Sequence, residues 1–157
     1  EYAEPNLLFE NDGHGKFRDA SKDAGSFAAT IENSRGLVFG DIDNDGDIDL
    51  LVNNEGGPAR LYRNDFPKKG HWLLIRAFDP KLKRDAIGAE VTVVCQGKKI
   101  FRSVSPAYSY LNSNDSRVHF GLGSATSVDA IIVRWPDGTE QTFSGTKADQ
   151  IITLNKK

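Results

Sequence analysis

The chain contains no methionine and only one cysteine, Cys95. A single thiol excludes an internal disulfide, so whatever fold forms must hold without a covalent staple. Cys95 lies in Glu90-Val91-Thr92-Val93-Val94-Cys95, where it reads as a buried or strand thiol. Long apolar runs are also missing, so no segment offers the roughly 20 apolar residues that a membrane helix needs. Basic residues form no stripe: Lys98-Lys99 and Lys156-Lys157 are isolated pairs, which argues against a nucleic-acid partner. The three histidines, His14, His71 and His119, are far apart and show no zinc-ligand spacing. No Gly-x-Ser-x-Gly elbow is present, and Gly121-Leu122-Gly123 lacks the third glycine of a dinucleotide loop, so it reads as a backbone turn. The chain begins at Glu1 rather than methionine, which predicts a piece of a larger or processed protein.

Against these absences stands one concentration. Residues 41 to 49 read Asp-Ile-Asp-Asn-Asp-Gly-Asp-Ile-Asp, five aspartates in nine positions. The formal net charge is −2. The five loop carboxylates therefore leave a net +3 on the rest of the chain, so the acidity is local to this segment. Alternating carboxylates on a tight turn bring several oxygens around one point, where they repel one another unless a hard cation such as Ca²⁺, which takes six to eight oxygens, lies between them. The spacing matches the first half of an EF-hand, with side chains at positions 1, 3 and 5 and a carbonyl at 7. Position 12, which should be a bidentate Glu, is Val52. The flanks Gly36-Leu37-Val38-Phe39-Gly40 and Asp49-Leu50-Leu51-Val52-Asn53 are short and β-branched or aromatic, so they predict strands rather than helices. The expectation is a Ca²⁺ loop in a β-hairpin: Asp41, Asp43, Asp45 and Asp49 give side-chain oxygens and Asp47 its backbone carbonyl. A plain Asp45-Gly46 turn accounts for one of these carboxylates and not for five.

The first 65 residues repeat a simple grammar. Leu8-Phe9-Glu10-Asn11-Asp12 is echoed by Leu61-Tyr62-Arg63-Asn64-Asp65, an internal period of about 53 residues, the length scale of a propeller blade. Strands are expected at Leu7 to Asn11, Lys16 to Asp19, Gly36 to Asp41, Ile48 to Asn54 and Ala59 to Asp65, with a loop or short helix over Ala20 to Asn33. From Gly70 the texture changes. Short strands are expected at Trp72 to Ala77, Ala89 to Cys95, Lys98 to Ser103, Arg117 to Phe120, Val128 to Trp135, Thr139 to Phe143 and Ile151 to Leu154, a spacing that predicts a β-sandwich or barrel. Two units follow, residues 1–66 and 70–157, joined at Phe66-Pro67-Lys68-Lys69-Gly70. A lone blade would leave Leu37, Phe39, Leu51 and Leu61 in need of cover from outside it.

Leu8 to Phe17, followed by Phe39-Gly40-Asp41 through Asp49-Leu50, resembles an FG-GAP/VCBS repeat. The resemblance implies a propeller-blade fold and the same Ca²⁺ ligands. The second unit resembles the ASPIC/UnbV domain through Trp72-Leu73, Lys83 to Val91, Tyr110-Leu111, His119 to Gly123 and Trp135-Pro136-Asp137-Gly138, in the family's order. Together they resemble the C-terminal part of the cartilage acidic protein-like family. The fold class implied is all-β, a blade-like calcium-loop repeat followed by a sandwich or barrel. The function implied is a non-catalytic, calcium-binding, secreted or cell-surface interaction module (periplasmic if bacterial). Its expected partners are protein or glycan ligands at the cell surface or in the matrix, with self-association through blade edges as a further expectation. The alternative is an accessory domain of a polysaccharide- or natural-product-processing enzyme. Trp72 and Trp135 are expected to pack in the core, His119 to be structural, and Lys81, Lys83, Arg84 and Asp85 to form a solvated loop. Asn114-Asp115-Ser116 is a sequon in a eukaryotic secreted setting.

Overall fold

The computed structural model describes residues 2–67 and 70–157. Lys68 and Lys69, inside the expected junction, lie outside the described residues. In the N-terminal unit, β1 (Glu4–Pro5) pairs with β4 (Ile31–Glu32), and β2 (Phe9–Asn11) with β3 (Phe17–Asp19). Ala20 to Asn33 holds a 3₁₀ turn and a short helix, α1 (Ser26–Ala29). A three-stranded sheet follows in the order β5 (Ser34–Gly40), β6 (Asp49–Asn54), β7 (Arg60–Tyr62), all antiparallel. The aspartate loop is the β5–β6 connection, so the strands expected on its flanks are present.

The C-terminal unit is built from β8 (His71–Asp79), β9 (Arg84–Asp85), β10 (Glu90–Cys95), β11 (Lys98–Ser103), β12 (Val118–Gly123), β13 (Ser127–Arg134), β14 (Glu140–Lys147) and β15 (Gln150–Asn155). One sheet runs β11-β10-β13-β14. The other runs β12-β8-β15, with β9 on β8 and with β15 parallel to β8. Strict alternation in β10 buries Val91, Val93 and Cys95 on one face, as period-2 geometry requires. These residues join Leu73, Ile75 and Ala77 of β8, Phe120 of β12 and Ile131 and Val133 of β13 in one core cluster. The two sheets therefore share a core as a sandwich, and among the described residues they do not close into a barrel. The turn between β10 and β11 is Gln96-Gly97, both with positive φ, the conformation that a tight hairpin favours.

Three expectations change. Gly121-Leu122-Gly123 is not a turn. It lies in β12, where the register against β8 shifts between Gly121 and Gly123, and Leu122 is drawn into the core. The apolar side chain between the glycines decides for the strand. Trp135 is a core residue, but Trp72 is only half-buried and points away from the core. Asn114 is 6% exposed, its side-chain amide donating to the Pro106 carbonyl and its Oδ1 accepting the Phe39 N–H. A glycan has no room there in this fold. In the charged loop, the Asp79 carboxylate accepts the N–H groups of Lys81 and Leu82. Arg84 and Asp85 belong to β9, where Asp85 takes the Arg76 guanidinium at 2.6 Å and the Ser116 hydroxyl at 2.5 Å.

The blade sheet has an open edge at β5, and the loop before β12 covers it. Ser109 Oγ accepts the Leu37 N–H and Asn114 Oδ1 the Phe39 N–H. The Phe39 and Tyr108 rings meet at 5.5 Å. Gly36 fits only because it lacks a side chain, since a Cβ there would stand 2.0 Å from the Asn112 side chain. Side-chain acceptors on an edge strand satisfy backbone donors that would otherwise recruit another strand. Phe39 thus meets a ring from outside the blade, but the expected cover is partial: Leu37 and Phe39 each stay 37% exposed and Leu61 on β7 59%, while Leu51 is half-buried.

Candidate metal centre in the aspartate loop

The loop wraps around its own first and last carboxylates. Asp41 and Asp49 are each 2% exposed. Asp41 Oδ1 accepts the Asp45 N–H at 3.1 Å and Oδ2 the Gly46 N–H at 3.0 Å. Asp49 Oδ2 accepts the Ile42 N–H at 3.0 Å, and its Oδ1 accepts that of Asn64 at 2.9 Å. Asn64 belongs to the segment that echoes Asn11, so the start of the second repeat is tied into the loop of the first. Asn44 and Gly46 turn the chain with φ of 61° and 95°, a region that glycine and asparagine enter at least cost.

Asp41, Asp43 and Asp49 each offer one carboxylate oxygen, and these oxygens lie within 4.8 Å of one another. Calcium–oxygen distances run about 2.3–2.6 Å, so two ligands of one ion lie at most roughly 5.2 Å apart. The cluster meets that limit. The hydrogen-bonded oxygens of Asp41 and Asp49 keep acceptor capacity, because a carboxylate has about four lone-pair sites. Among the described residues no cationic side chain is hydrogen-bonded to these three carboxylates. Arg63 sits nearby and is held above its ordinary pKa, chiefly by its hydrogen bond to Asp65 and that group's charge, with Asp43 and Asp49 adding to it. The donor set, all hard oxygen and net negative, suits Ca²⁺ better than a soft or nitrogen-seeking ion. The residues present fit the ion.

Of the five expected contributors, Asp41, Asp43 and Asp49 come together. The Asp45 carboxylate is not part of that cluster, and its Oδ1 accepts the Asp47 N–H at 2.9 Å; Asp47 is expected to contribute its backbone carbonyl, not its side chain. The loop's neighbours from the C-terminal unit are not foreseeable from local sequence patterns. Arg117 donates from one terminal nitrogen to Asn44 Oδ1 at 2.7 Å and from the other to the Asp41 carbonyl at 3.0 Å. Its Nε and backbone N–H both go to Asp115. His119 Nε2 donates to the Gly46 carbonyl at 2.9 Å. The Trp72 ring stacks on His119 at 6.4 Å and lies so close to Gly46 that a Cβ there would be 1.9 Å from Trp72 Cε2. Beside it opens a cleft of about 650 Å³ lined by Asp45, His71, Trp72, Ser124 and Asp149.

The geometry defines a class: an all-β chain in which a blade-like repeat carries an acidic loop and the loop is seated on a β-sandwich. The chain belongs to the ASPIC and UnbV family, whose model matches residues 79–157. An FG-GAP-like repeat matches residues 2–52. Cartilage acidic protein 1 of Homo sapiens is 41% identical over 58 residues, and that of Mus musculus 40% over the same length, covering 37% of this chain and 9% of each relative. The Xenopus tropicalis protein of that name is 36% identical over 58 residues, with the same coverage. The match spans only about a tenth of those relatives. Among the described residues no helix is long and apolar enough to cross a membrane.

Proposed function

We propose that this chain is a non-catalytic interaction module of an extracellular protein, in which Ca²⁺ fixes the loop Asp41 to Asp49. The observation that carries this is the three-oxygen cluster of Asp41, Asp43 and Asp49 within 4.8 Å. The ligands proposed are the side chains of Asp41, Asp43, Asp45 and Asp49 and the backbone carbonyl of Asp47. The FG-GAP-like match and the likeness to cartilage acidic proteins support a secreted setting and a protein or glycan partner. Calorimetry of chelator-treated protein with Ca²⁺ tests the site. Binding to the folded state alone adds about 2.7 kcal/mol at a hundredfold excess over Kd, so a rise in melting temperature accompanies the heat. Asp43 is exposed and carries none of the loop's backbone hydrogen bonds, so Asp43→Asn should abolish that rise and leave the melting temperature in chelator unchanged. No heat from folded wild-type protein would remove calcium from the proposal.

We further propose that residues 1–66 and 70–157 are separate structural units. The two family matches, which fall on opposite sides of residues 66–70, support this. Brief proteolysis should cut there first and yield a stable fragment beginning near residue 70. First cuts inside either sheet system, with the junction protected, would mean one fused unit.

A further inference from the structure

The loop is not built by the repeat alone. Its outer side rests on the face of the β12-β8 sheet that turns away from the sandwich core. Val118, Phe120 and Leu122 point inward, so period-2 alternation sends Arg117 and His119 outward together. Leu74 and Trp72 of β8 stand opposite His119 and Gly121 in the register. Gly121 offers no side chain beside Trp72, and the indole instead stacks on His119 and reaches Gly46. Three side chains of the sandwich therefore fix three backbone points of the loop. Arg117 holds the carbonyl of Asp41 and the side chain of Asn44. His119 holds the carbonyl of Gly46, and Trp72 covers the α-carbon of that glycine. Those points, at positions 41, 44 and 46, flank Asp43 and Asp45 in the chain and include the backbone of the cluster residue Asp41. Asp115 in turn orients Arg117, taking its Nε at 2.6 Å.

We propose that Arg117 and His119 are positioning residues for the metal loop, so that the ASPIC/UnbV unit completes the calcium site of the preceding repeat. This rests on the calcium reading above. Neither residue touches the ion. Each fixes a backbone carbonyl or a loop side chain so that the carboxylates are held at ligand spacing before the ion arrives. By reciprocity, a contact that tightens calcium binding is itself tightened by calcium to the same factor. The ion then acts as a latch between repeat and sandwich as well as a stiffener of a turn.

The test uses the full chain and Ca²⁺ itself. Arg117→Ala removes both latch bonds. Asn44→Gly removes only the loop's acceptor and keeps the backbone's freedom to hold φ near 61°. Both variants should bind Ca²⁺ about five- to tenfold more weakly by calorimetry, the lower range of measured site–site couplings. In wild type, calcium should slow hydrogen exchange at the amides of Trp72 and His119, and in Asn44→Gly this protection should shrink. Tb³⁺ in the loop should be sensitised by the indole of Trp72, and Trp72→Phe should quench that emission. A purely structural Arg117 would lower the melting temperature equally with and without calcium and leave the affinity of the folded protein unchanged. That result, or wild-type affinity in Asn44→Gly, overturns the proposal while calcium binding stands. Absence of binding in wild type overturns the calcium reading itself. Should Arg117→Ala fail to fold, Asn44→Gly decides.

Discussion

In calcium, Asp49→Ala is expected to lower the melting temperature by roughly 10–15 °C, and in chelator by only a few degrees. The asymmetry comes from two opposed terms. Asp49 is 2% exposed and accepts the N–H groups of Ile42 and Asn64. Removing it strands two donors, at about 1–3 kcal/mol for each one left buried without a partner. Without metal, its charge also repels those of Asp41 and Asp43, whose oxygens lie within 4.8 Å. At that spacing and an effective dielectric near 20, a pair repels by about 3 kcal/mol, less after salt screening. The two terms nearly offset in chelator. Calcium converts the repulsion into coordination, so the loss of hydrogen bonds and the loss of an ion ligand then act in the same direction. At 2–4 °C per kcal/mol for a chain of this size, the sum reaches the expected figure. Melting curves by circular dichroism, in calcium and in chelator, make the comparison. An equal large fall in both would show that Asp49 is a backbone clamp with no cation to hold.

The loop was legible in the sequence because it is local. Nine consecutive residues carry both the charge pattern and the turn, and their strand flanks follow from the β-branched and aromatic residues around them. The sandwich strands were legible for the same reason: Val91, Val93 and Cys95 alternate within one strand. What the sequence could not show were contacts across long separations. Arg117 is 73 residues from Asn44 and 76 from Asp41, and no local sequence pattern distinguishes it from the other arginines of the chain. A clue lay in the alternation of Arg117 and His119 with core residues, which places both on the same outer face, but nothing in the chain says what that face meets. Gly121-Leu122-Gly123 misled in the opposite sense, since glycines that look like a turn belong to a strand with a register shift. The sequon misled because Asn114 is spent on the edge of β5. Of the proposed ligands, the first two and the last of the alternating set, Asp41, Asp43 and Asp49, bring carboxylate oxygens together.

Gly46 should be the least replaceable residue of the loop, and for two separable reasons. Its φ of 95° lies where a residue with a Cβ is strained, at a cost of order 1–3 kcal/mol. A Cβ built there also stands 1.9 Å from Trp72 Cε2 and 2.1 Å from Nε1, so the indole or the loop must move. Gly46→Ala is therefore expected to destabilise the protein by about 3–5 kcal/mol, at the upper end of single substitutions. A double-mutant cycle separates the two causes, because residues in contact show non-additive effects. Trp72→Ala alone removes the half-buried indole and its stack on His119. In that background Gly46→Ala should cost only the backbone strain, about 1–3 kcal/mol, so the pair should be less destabilised than the sum of its members. Denaturant unfolding of the four proteins measures it. If the effects simply add, the indole does not press on the loop, and the seating of the aspartate loop on the sandwich is looser than the contacts of Trp72 describe. If they are strongly sub-additive and calcium affinity falls in Gly46→Ala, the same contact that excludes a methyl group also shapes the metal site.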